Sequence, residues 1–427
     1  MQNIVFTIVA KNYIGLAQVL EESVNAHSSD VQFYIIVSDE LVNLPELPLN
    51  VLSARKALNL PDEQWEQMAF KYNLVEFCTA IKPYCFDFFF KQKDAGKTIY
   101  LDPDILAYSS LNPIFDELGR QSILITPHIL NMHSPFKGDY PDHLFLVNGI
   151  FNLGFIAVNN TVVAQQFLQW WQYRMIDGAY FDNDMGLATD QKWINFLPAI
   201  IPQDELVISR NAGMNAAPWN FFERELFFDN GNYFVKQREN SVDTSITSLI
   251  FVHFSGYNYK SLINRSVSHK TEGFQQYKDW KPAFELYANS LEKSNFLTFV
   301  SLPYSYNFFN NGRGILSLHR RFYRRMLEAG NQSCQYPFAT DKNSLYSKLK
   351  NKRLIDHTKF KGNADSVTHK TIRGFDSKLK WINLFFSLMQ RAIGVRRYSM
   401  LIRFLRRYAK EENQYFLLGT QNEDKLL

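Results

Sequence analysis

The sequence is short of cysteine: Cys78, Cys85 and Cys334 are the only three in 427 residues, and none sits in a Cys-x-x-Cys pair. That excludes a disulfide framework and a cysteine-rich zinc site, and it suits a reducing compartment. Long apolar runs are missing as well. No stretch of 18 apolar residues occurs, so no transmembrane helix is expected. The charge-free stretch Ser294 to Gly312 is broken by Pro303 and by several Asn and Ser. The first apolar run, Ile4 to Ala10, stops at Lys11 without the basic lead-in of a secretory leader, and reads as a buried strand. There is no internal repeat and no low-complexity tract. A cytoplasmic protein is the expectation. The formal net charge of +4 is too small to mark a dedicated nucleic-acid binder.

What is present is core material and an uneven charge distribution. At 46% hydrophobic and 15% aromatic, the chain has enough apolar surface for a large core. The small net charge hides two opposite parts: residues 1–310 carry 22 basic and 33 acidic residues, and residues 311–427 carry 24 basic and 9 acidic ones. An acidic body with a basic tail follows. Short apolar runs alternate with helical patterns. Strands are expected at Ile4–Ala10, Val31–Val37, Lys97–Leu101, Ser122–Thr126 and Gly154–Val158, with helices after the first and over 71–90. Such alternation predicts an α/β fold, a mostly parallel sheet covered by helices with ligands at the carboxyl ends of the strands. Beyond Gly256 the sequence turns helical and basic.

Tyr100-Leu101-Asp102-Pro103-Asp104 is the most informative segment. A strand ending in two carboxylates with a stiff proline between them can aim both at one hard cation such as Mg²⁺ or Mn²⁺. The plainer reading is an acidic turn after a strand. His253 follows the apolar run Leu249–Val252, so it is either a packed core histidine or a ligand given close approach by Ser255-Gly256. Lys82 precedes Pro83 near a helix start, where backbone N–H groups favour anions; otherwise it is a solvated surface lysine. Asp190 could cap a helix beginning at Gln191. His128 and His133 follow a strand and either face an acceptor or pack. Trp170-Trp171 reads as core.

In this order the segments resemble a nucleotide-diphospho-sugar glycosyltransferase of the GT-A fold, close to glycosyltransferase family 8. Phe6-Thr7-Ile8-Val9-Ala10-Lys11-Asn12-Tyr13 resembles the family's first strand and nucleotide-contacting loop. Cys78–Pro83 resembles the segment with a phosphate-facing lysine. Asp102-Pro103-Asp104 resembles the metal motif, Asn152-Leu153-Gly154 the donor-sugar segment, Asp190-Gln191 the acidic pair near the reacting sugar, and His253-Phe254-Ser255-Gly256 the late motif whose histidine completes the metal site. Asn215–Asn220 with Arg224, and Phe309–Gly312, resemble the bacterial subgroup. The resemblance spans roughly residues 3–340. It implies a metal-dependent, retaining transfer of a sugar from a nucleotide diphosphate, UDP favoured, to a glycan or lipid-linked acceptor in bacterial surface glycan synthesis. It implies Mn²⁺ or Mg²⁺ on Asp102, Asp104 and His253, donor contacts from Ala10, Asn12, Tyr13, Lys82, Asn152, Gly154, Gly256 and Lys260, and Asp190 and Gln191 at the reacting centre. Two departures stand out. The family's first-loop aspartate is replaced by Lys11 or Asn12, and Tyr257-Asn258-Tyr259 precedes Lys260 where a Lys-Pro would follow the glycine more closely.

The expected organisation is a GT-A catalytic domain over 1–262, a helical extension packed on it over 263–345 and a basic amphipathic helical tail over 346–427. From Lys370 to Lys410 there are 11 basic residues and one acidic residue, Asp376. With Leu401, Phe404, Leu405 and Tyr408 on one helical face, that tail suits an anionic membrane surface and a peripheral location on its inner face; packing on the acidic body is the alternative. A sugar-nucleotide-binding partner without activity is the competing function. A sugar nucleotidyltransferase is disfavoured, because Lys11-Asn12-Tyr13 stands where its glycine-rich loop would be.

Overall fold

The computed structural model describes residues 2–42, 44–238, 245–257, 259, 277–330, 335–356 and 374–419. Lys260 and Cys334 therefore lie outside the described residues. The elements that position the site run β1 (Gln2–Val9), α1 (Ile14–His27), β2 (Gln32–Val37), β3 (Val51–Ser53), α2 (Asp62–Lys71), α3 (Leu74–Ala80), α4 (Lys82–Gln92), β4 (Ala95–Leu101) and β5 (Ile105–Ala107). After them come α5 (Asn112–Leu118), β6 (Ile123–Ile125), α6 (His143–Asn148), β7 (Phe155–Asn159), α7 (Val162–Asp177), β8 (Leu206–Ile208) and β9 (Phe251–His253). The last helices are α8 (Lys281–Lys293), α9 (Ser317–Glu328), α10 (Leu345–Asn351) and α11 (Phe375–Tyr408).

The main sheet has seven strands in the order β8-β6-β7-β4-β1-β2-β3. All neighbours are parallel except β7, which runs antiparallel to β4 and β6. This is the α/β fold expected, a mostly parallel sheet flanked by helices. β1 reads as a continuous apolar run because both its faces are covered: Ile4, Val5, Phe6, Ile8 and Val9 are all buried. One side of the sheet packs α1 through Ile14, Ala17, Leu20 and Val24. On the other, Phe6 contacts Phe86 and Phe89 of α4 at 4.9 and 5.0 Å between ring centroids. The helix expected over 71–90 is instead two, α3 and α4. Pro83 stands in the first turn of α4 and has no N–H to continue the hydrogen-bond ladder of α3. Trp171, on α7, is fully buried, as expected of core.

Two compact units are formed, one by residues 1–60 and 74–304 and the other by 61–73 and 305–427. The first holds the sheet. It also takes in α8, where Phe284 and the preceding Trp280 pack with Phe221 in a separate core cluster. In the second unit α2 is fastened by residues far along the chain. Trp65 Nε1 donates to the Tyr306 hydroxyl at 2.8 Å. The fully buried Arg320 guanidinium donates to the carbonyls of Phe70 and Tyr72 at 2.7 and 2.8 Å, satisfying groups that the end of α2 leaves open. In the same unit α11 bends at Gly394, whose φ of 78° is outside the helical region, and has no buried side chain. Its 34 residues carry eight Lys and Arg against the single Asp376.

Candidate metal and donor site

The site starts from the alternation along β4. Ile99 and Leu101 belong to the core cluster beneath, while Tyr100 and Asp102 share the opposite face. Beyond the strand, the Asp102 N–H donates to the Gly154 carbonyl at 2.7 Å, and the Ile105 N–H donates to the Asp102 carbonyl at 3.1 Å, closing a turn through Pro103. β5 then pairs antiparallel with β9, with Ile105 opposite His253. The Phe254 N–H donates to the Asp104 carbonyl at 2.8 Å. Two backbone pairings thus deliver His253 to the acidic turn.

His253 Nε2 lies 3.1 Å from Asp104 Oδ1 and 3.7 Å from Asp102 Oδ2. One ligand atom from each of the three lies within 4.8 Å of the others. The Tyr100 hydroxyl donates to Asp102 Oδ1 at 2.5 Å, which leaves the other carboxylate oxygen toward His253. Both carboxylates keep part of their surface open, while the imidazole is buried. Two hard oxygen donors and one imidazole nitrogen, with room for further oxygens, fit Mg²⁺ or Mn²⁺. Burial lifts the Asp102 carboxyl above its ordinary range, against the pull of Lys82 and His253. Burial lowers His253, but the neighbouring Asp104 and Asp102 outweigh it and hold the imidazole above its ordinary value.

Lys82 is no surface lysine. It is 1% exposed, with Nζ 2.6 Å from Asp190 Oδ2, 2.9 Å from the Leu153 carbonyl and 4.1 Å from the centre of the Tyr100 ring. Asp190 is equally buried and makes no capping hydrogen bond to the short helix that begins at Gln191, so it is not there as a cap. Gln191 pins the loop before β7: its Oε1 accepts from the Leu153 N–H at 3.1 Å and its Nε2 donates to the Asn148 carbonyl at 3.0 Å. Lys82, Asp102, Asp104, Asp190, Gln191, Asn152, Gly154 and His253 are therefore brought together. Burial pushes the neighbouring Cys78 thiol up to about 12, so it stays a thiol.

Of the first loop, Ala10 follows β1 and its carbonyl accepts from the Tyr13 N–H at 2.8 Å. Tyr13 stacks edge-on against Tyr259 and Phe296, and its hydroxyl is raised by burial and by Asp104. The Asn12 Oδ1 is buried with no hydrogen-bond partner among the described residues. Lys11 is turned away into an ion pair with Asp39 at the end of β2, its backbone N–H donating to Asp39 Oδ1 at 2.8 Å. Gly256 has φ 79°, a left-handed conformation that favours glycine.

Spacing did not reveal several partners. His128 is buried, stacked on Phe145 at 5.1 Å with Trp219 edge-on at 5.3 Å. His133 instead reaches the buried Glu223, whose carboxylate accepts the Leu130 and Asn131 N–H groups. Arg224 is fully buried and donates to the Ala212 and Met214 carbonyls, so the segment from Asn215 to Arg224 is a structural clip that holds Trp219 edge-on to His253 at 5.2 Å. Tyr100 could have been found from the period of two in β4, which puts it on the face of Asp102.

No protein-family model matches the chain. Uncharacterized protein YfnD of Bacillus subtilis (strain 168) is 26% identical over 256 residues, 59% of this chain and 76% of that protein. Uncharacterized protein YfnF of the same strain is 22% identical over 268 residues, 62% of this chain and 85% of that protein. Among solved structures, galactosyltransferase LgtC in complex with donor and acceptor sugar analogs is 16% identical, covering 68% of this chain and 96% of that chain with a TM-score of 0.34. The bifunctional glycosyltransferase WbbM is 14% identical, covering 67% and 51%, also with a TM-score of 0.34. The chain is thus similar, at low identity and low score, to two uncharacterized Bacillus proteins and to solved glycosyltransferases.

Proposed function

We propose that the protein is a metal-dependent glycosyltransferase of the GT-A type, moving a sugar from a nucleotide diphosphate, UDP favoured, to an acceptor hydroxyl. The observation that carries this reading is the convergence of Asp102, Asp104 and His253 within 4.8 Å beside the carboxyl end of β4. In the transfer, the bond between the anomeric carbon and the diphosphate oxygen breaks with its electron pair on that oxygen. The acceptor oxygen bonds to the carbon and passes its proton to the departing diphosphate oxygen. Asp102, Asp104 and His253 would hold a divalent cation, which would supply Lewis-acid stabilisation of the departing diphosphate. Lys82, one strand face away, adds positive charge to the same region. Its ion pair with Asp190 occupies the carboxylate an inverting enzyme would need as base, which supports retention.

Replacing Asp102 or Asp104 with alanine abolishes Mn²⁺-dependent turnover of the nucleotide sugar while circular dichroism is unchanged. Full turnover by Asp104→Ala in EDTA would overturn the metal assignment. A thermal-shift screen of nucleotide sugars with Mn²⁺ identifies the donor; a shift with no Mn²⁺-dependent hydrolysis or transfer of that donor favours the inactive-partner reading.

Location is part of this proposal. The described residues contain no helix long and apolar enough to cross a membrane. α11 exposes Trp381, Phe385, Leu388 and Met400 on the same helix as its eight cations. That pairing of apolar and basic surface supports attachment to an anionic bilayer, which would bring the enzyme to a lipid-linked acceptor in surface glycan synthesis. The full chain should sediment with phosphatidylserine vesicles and a chain ending at residue 373 should not.

A further inference from the structure

The resemblance puts Asn152 and Gly154 against the donor sugar, but the structure gives both another task. Asn152 is 6% exposed, and its side-chain oxygen accepts from the Gly154 backbone N–H at 3.1 Å. A backbone N–H can only donate, so this bond fixes which end of the amide is oxygen. Two histidine tautomers follow. The Asn152 oxygen lies 3.3 Å from His253 Nδ1, so Nδ1 donates to it, and the ring is thereby turned with Nε2 toward Asp102 and Asp104, where a cation between them would take its lone pair. The Asn152 amide nitrogen lies 3.3 Å from His128 Nε2, so that atom accepts and His128 carries its proton on Nδ1, 3.0 Å from the Ile150 carbonyl. Asn215 holds the same oxygen from the other side, donating at 3.2 Å to Asn152 and at 2.9 Å to the Thr126 hydroxyl. Gly154 makes the contact possible: a Cβ there would sit 2.4 Å from His253 Cε1 and 2.9 Å from the Asn152 oxygen.

We infer that Asn152 is the positioning residue of the metal site, setting the tautomer and ring orientation of His253 through a buried network of His128, Asn215 and Thr126. Its amide oxygen does for His253 what outer-shell acceptors do for metal-bound histidines generally. The inference rests on the metal reading, and its geometry has a readout besides activity. In the protein saturated with diamagnetic Mg²⁺, ¹⁵N-edited NMR of the imidazoles, assigned with His253→Gln, should show His253 protonated on Nδ1. Asn152→Ala should lose that preference, and Asn152→Asp, which keeps an acceptor in place, should retain it. Titration with Mn²⁺ alone should then give a dissociation constant about 10- to 100-fold weaker for Asn152→Ala. A wild-type His253 protonated on Nε2, or unchanged Mn²⁺ affinity in Asn152→Ala, would overturn the inference. If Asn152→Ala fails to fold, the wild-type and Asn152→Asp tautomers decide. Wild-type protein that takes up neither Mn²⁺ nor Mg²⁺ would instead sink the metal reading on which this inference rests.

Discussion

Breaking the Lys82–Asp190 pair is the most informative stability experiment. The charges are 2.6 Å apart and the two side chains are 2% and 3% exposed. At an effective dielectric of about 20, unit charges at that distance attract by about 6 kcal/mol. Desolvation offsets most of this, so the pair as a whole contributes little, while removing one partner costs about 3–5 kcal/mol. The two single changes should not cost the same. Lys82→Met leaves the Asp190 carboxylate buried with only the Thr189 hydroxyl at 3.3 Å, so the upper end of that range is expected. Asp190→Asn leaves Lys82 its Leu153 carbonyl and the face of Tyr100, so about 2 kcal/mol is expected. The double variant should be more stable than the sum of the singles implies. The assay is urea unfolding of all four proteins followed by tryptophan fluorescence. Additive losses, or Lys82→Met at wild-type stability, would refute the buried-pair argument and with it the objection to Asp190 as a base.

Three further outcomes are expected. Gly154→Ala must drive the His253 ring back, since 2.4 Å is far inside contact distance; Mn²⁺ binding by calorimetry should weaken about 10- to 100-fold, and wild-type affinity would refute the close packing. His128 is depressed to about 4, chiefly by burial, so the unfolded chain takes up its proton first as pH falls from 6.5; unfolding measurements should show about 3 kcal/mol lost between pH 6.5 and 4, and His128→Gln should lack that loss. Cys85 is buried and Cys78 half-buried, both with raised thiols, so a thiol reagent at pH 8 should leave Cys85 unmodified and Cys78 slow to react until denaturation, as read by mass spectrometry.

How much of this could be read from the sequence depends on how local the cause is. β1, β2 and β4 were legible because buried strands appear as apolar runs of the right length, and Asp102 and Asp104 because a strand, a proline and two acids sit within five residues. The reversed direction of β7 was not, since an apolar run carries no sign of its polarity in the sheet. His253 was a candidate on its neighbours alone; its delivery to Asp104 depends on the pairing of β5 with β9, across about 150 intervening residues. Lys82 showed its proximity to a helix start but not its burial, which is made by Asp190, Leu153 and Tyr100 from three other segments. The bonds of Asn152 to His128, Asn215 and His253 are all tertiary, so its motif alone did not show them.

The detour of residues 61–73 into the second compact unit has a consequence for how the chain is made. Trp65 and Phe70 on α2 are buried in that unit, yet the Tyr306 hydroxyl that receives the Trp65 indole lies 241 residues later. At about 5–20 residues per second, a ribosome takes roughly 12–50 s to supply it. Through that interval the partners that bury Trp65 and Phe70 within that unit have not yet been made. A holdase footprint over 61–73 on stalled ribosomes, gone once Arg320 has emerged, is the mark this arrangement would leave.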